Sequence, residues 1–284
     1  MAQTVKQIKN RIKSVQGATK VTHAMEMISV AKLNQIDKVL FALRPYQAGL
    51  EGMLRRLLGT GPKIENPLFM KQPHQERIVL CVVTSDSGLC GLYNHNILKA
   101  AEKFIADKGK EKINLILIGK KGVNYFKKKG MPVLHQYIGS NGRYDNIISD
   151  EITAMLVNLF LSGQAGEVYV AYTYFKTGFL QNAVIEKFLN IEVAHETAGE
   201  YLIEPDFVSL TDKLALRYLI LKMRLVFLQA FTSEHATRSL AMKTATSNGN
   251  DLLDGLVLLR NKVRQSIITQ EMLELISSTE VLRG

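Results

Sequence analysis

The feature that most constrains this chain is where proline is missing. Its six prolines stand at positions 45, 62, 67, 73, 132 and 205, so residues 1–44 and 206–284 have none. Proline removes a backbone donor and clashes with the preceding turn, so stretches without it are free to form long helices. The apolar spacing agrees. Ile8, Ile12, Val15, Thr19 and Thr22, then Leu33, Ile36, Leu40 and Leu43, recur at steps of three and four, which places them on one helical stripe. Leu210, Leu214, Leu221, Leu225 and Leu228 begin a stripe at the other end, and Leu256, Leu259, Val263 and Ile267 continue it. Antiparallel pairing of the two helices is the economical way to bury both stripes.

An unbroken helix over the last 79 residues would be on the order of 115 Å long and has to project from a domain of this size. Its stripe weakens midway, where Thr232, His235, Ser239 and Thr246 stand in place of leucine. Small and polar seam residues allow close packing but bury little apolar area, so residues 232–251 are expected to be slender. They read as an interrupted coiled coil or, more specifically, as a shaft that other subunits enclose.

Composition changes at about Pro73. RIVLCVVT (77–84), INLILIGKKG (113–122) and EVYVAYTYF (167–175) are apolar, β-branched runs that fit buried strands, and Asn182 to Leu189 alternates like a fourth. Helical stretches at 96–108, 122–129 and 150–162 separate them. Such alternation predicts a mainly parallel sheet with helices on its faces. The expected architecture is α/β: a long antiparallel coiled coil of terminal helices (1–58 and 206–284) with an inserted Rossmann-like α/β domain (75–195).

The chemistry-bearing motifs are weak. Two cysteines, Cys81 and Cys90, and six scattered histidines make neither a disulfide framework nor a metal site. SDSGLCG (85–91) follows a strand, where phosphate-binding turns occur, yet it matches neither GxGxxG nor GxxxxGK[ST]. A tight turn whose Asp86 or Ser87 caps the next helix is the favoured reading. Cys90 lacks a catalytic setting, and no nucleophile elbow or HExxH occurs. No catalytic residue, cofactor or metal is therefore expected. No apolar run approaches the roughly 20 residues of a membrane span, and the basic N-terminus lacks the pattern of a secretory signal.

The net charge of +10 favours an acidic partner. Lys6, Lys9, Arg11, Lys13 and Lys20 precede the first acidic residue, Glu26. Without aromatic residues for base stacking among them, an acidic protein surface explains them as well as nucleic acid does.

IKNRIKSVQGATKVTHAMEMISVAKL (8–33), SDSGLCGLYN (85–94), YLIEPD (201–206), SEHATRSLAMKTATSNGNDL (233–252) and RNKVRQSIITQEMLEL (260–275) together resemble the gamma subunit of F-type ATP synthases, in family order. The resemblance implies a rotor: the coiled coil enters a ring of three alpha and three beta subunits, and the α/β domain sits outside it with epsilon on the membrane c-ring. It implies no catalytic residues in this chain and no nucleic acid. It places the complex peripherally, at the cytoplasmic face of a bacterial plasma (inner) membrane. Matching residues imply catch contacts to beta at Arg264, Gln265, Thr269 and Glu271, and a shaft contact at Met25. They also imply a basic shaft face at Lys9, Arg11 and Lys20, and a foot on the rotor ring at Tyr201 and Glu204. The sequence departs from the family pattern at Ser87, where Arg is usual, at Ser239, where Met is usual, and at Ser277 and Ser278, where Gly-Ala is usual. A nucleotide-binding α/β enzyme and a basic coiled-coil nucleic-acid or scaffold protein are the alternatives from other classes.

Overall fold

The computed structural model describes residues 4–60, 66–72, 76–177, 180–193, 203–204 and 206–281. Helix α1 (Val5–Thr60) and helix α5 (Phe207–Val281) carry the two ends of the chain. Between them lie strands β1 (Ile78–Val83), β2 (Ile113–Ile118), β3 (Val133–Tyr137), β4 (Glu167–Thr177) and β5 (Leu180–Leu189), with helices α2 (Tyr93–Lys108), α3 (Lys120–Lys128) and α4 (Asn146–Leu161). The chain packs as two compact units, Met1–Ile28 with Ser239–Gly284 and Ser29–Arg238.

In the larger unit the sheet order is β3-β2-β1-β4-β5, parallel except for the antiparallel β4–β5 pair. Both faces are covered, as continuous apolar strands require. Ile78, Leu80 and Val82 of β1 join α2 and α3 in one core, while Val79, Cys81 and Val83 face the other core with α4, α1 and α5. Strand β3 is absent from the sequence reading because VLHQY is mostly exposed. As an edge strand it pairs with β2 alone, so few of its side chains need be apolar.

Helix α1 runs through Pro45, which costs the hydrogen bond its missing N–H would make. Anchors on both sides hold the helix together. Ile36 and Leu40 precede Pro45 and Leu50, Leu54, Leu57 and Leu58 follow it, all buried. Just before it, Arg44 Nη2 donates to the Phe175 carbonyl at 3.1 Å.

The polar stretch of α5 is only partly slender. From Leu225 to Ala236 twelve consecutive residues are buried, so the larger unit surrounds the helix there. Thr232 and His235, expected at a thin seam, are therefore interior residues of this chain. Glu234, His235 and Arg238 form a buried clamp. Arg238 Nη2 meets Glu234 Oε1 at 2.7 Å, and its guanidinium donates to the Ser87 carbonyl and hydroxyl and to the Gly88 carbonyl at 3.0–3.3 Å. The Gly142 carbonyl lies 2.9 Å from His235 Nε2 and can only accept, so Nε2 holds the ring proton and Nδ1 faces Arg238 Nη1 at 3.3 Å. Gly142 is obligatory: φ is +64° and a Cβ would sit 2.5 Å from Nε2.

In the smaller unit the helices do pair antiparallel and thinly. Thr22 and Thr246 hydroxyls hydrogen-bond at 2.8 Å, and a Cβ on Gly249 would lie 2.5 Å from Thr19 Oγ1. Ile8, Ile12 and Leu256 form a small core with Val15, Leu253, Val257 and Val263 around it. Leu259 and Ile267, assigned by spacing to the same stripe, are 40% and 39% exposed. Val263 is the last residue of this stripe that packs against the Ile8 and Ile12 core among the described residues.

Two tests follow from this packing. Gly249→Val should wedge the thin seam apart by about 1–3 kcal/mol, read as faster amide exchange over residues 240–256. His235 is pushed down from 6.5 to about 4 by burial first, with Arg238 and Lys32 adding to the shift and the Gly142 carbonyl opposing it. Its protonated form is then favoured only in the unfolded chain, so stability is lost as pH falls from 6.5 towards 4. Relative to His235→Gln, in which Glu234 still titrates, the wild type should lose up to about 3 kcal/mol over that window in denaturant melts.

Candidate functional site

The exposed end of α5 is the first candidate. From Arg264 to Ser278 every residue is exposed. Arg264 and Glu271, seven residues apart, share one row of the helix, and Gln265 and Thr269, four apart, share another. Between the rows lie Ile268, Met272, Leu275 and Ile276, at steps i, i+4, i+7 and i+8 and 43–66% exposed. An apolar stripe rimmed by polar groups marks a protein contact. Thr269 Oγ1 donates to the Gln265 carbonyl at 2.9 Å and keeps its lone pairs for an outside donor. Arg264 offers a planar fork suited to a carboxylate.

At the start of α1, Lys9 and Lys20 are exposed and share a stripe with Lys6 and Lys13, at steps of three, four and seven. Arg11 is exposed as well, but two residues on from Lys9 it points to another side of the helix, so Lys9, Arg11 and Lys20 do not form one face. Met25 is half-buried on the same helix. Glu204 is exposed ahead of α5, and Tyr201 lies outside the described residues.

The SDSGLCG turn is built inward. Helix α2 starts at Tyr93 with Leu92 as its cap and no side-chain bond, so neither Asp86 nor Ser87 caps it. Asp86 instead accepts from Lys120 N at 2.9 Å, at the start of α3, and from Gly139 N and Asn141 N at 3.1 and 2.8 Å. The anion position at that helix N-terminus is thus filled by the protein's own carboxylate. Ser85 N donates to Asn94 Oδ1 at 3.0 Å, and the Ser87 and Gly88 carbonyls accept from Arg238. Cys90 is 2% exposed and its thiol is pushed up by burial, while burial raises Cys81 to about 12. Neither sulfur is a ready nucleophile.

The residues that tie the turn to α5, Glu234 and Arg238, were missed by sequence reasoning. Their signal is an acid and a base four apart inside an apolar helical run, a spacing that reads equally as a solvated surface pair. Here both are buried, at 1% and 5% exposure. Burial pushes the Glu234 carboxyl up, against the pull of the Arg238 guanidinium.

This arrangement has relatives. The family model described as ATP synthase matches residues 4–282. The ATP synthase gamma chain of Protochlamydia amoebophila is 33% identical over 287 residues, covering 99% of each chain. The ATP synthase gamma chain of Geobacter sp. (strain M21) is 34% identical over 290 residues, again covering 99% of each. Among solved structures, a chain of the Euglena gracilis mitochondrial ATP synthase (OSCP/F1/c-ring, rotational state 3) matches with a TM-score of 0.69 at 15% identity, covering 98% of this chain and 94% of that one. One from the Tetrahymena thermophila mitochondrial ATP synthase central stalk/c-ring has a TM-score of 0.57 at 18% identity, covering 79% of this chain and 99% of that one. At such identities these two likenesses bear on the fold alone. The match along nearly the whole sequence carries the rest: the chain belongs to the ATP synthase gamma chain family.

Proposed function

We propose that this chain is the central rotor shaft of an F-type ATP synthase and catalyses no reaction itself. Its paired terminal helices turn inside a ring of three alpha and three beta subunits, and the α/β unit stands with epsilon on the membrane c-ring. The observation that carries the reading is the end of α5, where fifteen residues in succession are exposed and large apolar side chains stand 43–66% open between polar rows. A surface of that kind marks a contact with a partner.

The mechanism is differential contact. A shaft that presents polar rows on some sides and an apolar stripe on another touches each beta subunit differently at any angle. Each beta subunit is a two-state element, so rotation shifts its population between conformations of different nucleotide affinity. Arg264 would hold a beta carboxylate bidentately, with Gln265, Thr269 and Glu271 adding directional bonds. Met25 would meet the moving part of beta, and the lysine stripe of α1 would supply positive potential towards acidic segments. Glu204 and Tyr201 would belong to the foot on the c-ring.

The complex would sit peripherally at the cytoplasmic face of a bacterial plasma (inner) membrane, where ion flow through the c-ring drives the shaft. No described helix is long and apolar enough to cross a membrane, so this chain would be held there by its partners.

Reconstitution with alpha and beta subunits of the same source tests the reading. One copy of this chain per three alpha and three beta is expected, with ATP hydrolysis that depends on it. Arg264→Ala with Gln265→Ala should lower turnover by about tenfold or more, since hydrogen bonds to charged groups contribute about 1.5–3 kcal/mol. Failure to form a complex, together with nucleotide hydrolysis by the chain alone, would overturn the rotor assignment.

A further inference from the structure

The charge of this chain is concentrated on one face of its sheet. Between Lys99 and Lys129 the sequence holds ten lysines, no arginine and three acidic residues, Glu102, Asp107 and Glu111, a net +7 out of the whole chain's +10. These residues belong to α2, the segment after it, α3 and the residue that follows α3, and all ten lysines are exposed. Helices α2 and α3 pack together on one side of the sheet, opposite the core that holds α1, α4 and α5. Their lysines lie mostly on that side, opposite the core of the shaft helices, while Lys121 at the start of α3 reaches Gly88 in the turn that Arg238 holds.

Little of this charge is neutralised internally. Lys129 pairs with Glu102, Lys112 with Glu76 at 2.6 Å, and Lys108 lies over the Phe104 and Tyr169 rings. Lys99, Lys103, Lys110, Lys120, Lys127 and Lys128 have no ion-pair partner among the described residues.

The make-up of the face says what kind of partner it fits. Protein interfaces have an apolar, aromatic and arginine-rich centre and are depleted in lysine. Here no large hydrophobic between Leu92 and Leu134 is exposed. Arginine's bidentate fork is absent, and lysine is a hydrated point charge on a flexible stem. Nucleic-acid grooves add aromatic platforms, whereas Tyr125 is only half-exposed beneath Lys129. What remains is long-range, register-free attraction to a dense array of negative charge, the mode in which lysine clusters hold anionic lipid headgroups.

We propose that the α2–α3 face is an electrostatic docking surface for an anionic phospholipid bilayer. It inserts nothing and binds through the combined attraction of its lysines to headgroup phosphates. Because such attraction has no fixed register, it would tolerate a protein that turns beside the bilayer, and in that respect alone it draws on the rotor reading.

The test uses the full chain with vesicles of phosphatidylcholine, with and without phosphatidylglycerol, in a flotation assay at low and high salt. Wild-type protein should float only with phosphatidylglycerol vesicles and detach at high salt. Lys120→Gln, Lys121→Gln, Lys127→Gln and Lys128→Gln combined should lower the partition coefficient by at least about tenfold, with an unchanged circular dichroism spectrum and thermal midpoint. Lys9→Gln with Lys13→Gln should bind like wild type. The proposal is overturned if the wild type ignores phosphatidylglycerol at low salt, if it floats equally with phosphatidylcholine alone, or if the α1 lysines carry the binding. It is overturned likewise if the α3 variant binds lipid normally but drops out of the reconstituted complex, which would make the face a protein interface. These outcomes do not depend on complex assembly with alpha and beta, so failure here and failure of the rotor reading are separable.

Discussion

The structure depends on the continuity of α5 through two very different environments. For twelve residues, Leu225 to Ala236, it is buried in a globular unit; from Arg264 to Ser278 every residue is exposed. A single helix can satisfy its own backbone in both settings because every interior N–H finds the carbonyl four residues back. Side-chain choice then separates the two regimes. Leu225, Phe227 and Phe231 supply core volume, whereas Arg264, Gln265 and Glu271 keep the exposed end soluble around its apolar stripe.

Between these regimes stands the clamp of Glu234, His235 and Arg238. A buried ion pair is weak evidence of stability, since desolvating both charges offsets much of their attraction. Its effect here is geometric. Arg238 alone reaches the Ser87 and Gly88 carbonyls, the Ser87 hydroxyl, the His235 ring and the Glu234 carboxylate. A leucine in its place would fill volume but take the donor from the Gly88 carbonyl, at a cost of up to about 1–3 kcal/mol, whereas the Ser87 carbonyl would keep the Ser85 hydroxyl at 2.6 Å. Ser87, where the family usually carries Arg, is short enough to accept from Arg238 and brings no second positive charge beside it. That departure fits the bond Ser87 makes from its exposed position.

Much of the fold was legible because it rests on local periodicity. The proline-free ends, the apolar runs at 78–83 and 113–118 and the alternation of strands with helices are consequences of steric rules that act within a few residues. What escaped is what tertiary context decides. Pro45 is tolerated only because buried leucines lie on both sides of it, β3 is a strand only because β2 offers it an edge, and Asp86 caps α3 across a loop rather than the helix that follows it. The site residues divide in the same way. Arg264, Gln265, Thr269 and Glu271 were identified through resemblance, and their chemistry is that of an exposed helix surface. Glu234 and Arg238 follow an i, i+4 pattern that reads the same whether exposed or buried, and only the three-dimensional packing distinguishes the two.

Two exposed surfaces of this chain illustrate why hydropathy and charge have to be read together. The end of α5 sets large apolar side chains between polar rows, an arrangement that rewards a partner able to exclude water and fix directional bonds, and therefore discriminates between rotational positions. The α2–α3 face has lysine without arginine and without exposed apolar area, so nothing on it rewards exclusion of water or one register over another. The seven net charges of residues 99–129 belong to the larger unit, and the exposed stripe of Ile268, Met272, Leu275 and Ile276 belongs to the smaller. Moving even two of those lysines onto the stripe would weaken its apolar contact, and moving two of its aliphatic side chains onto α3 would give the flank a register.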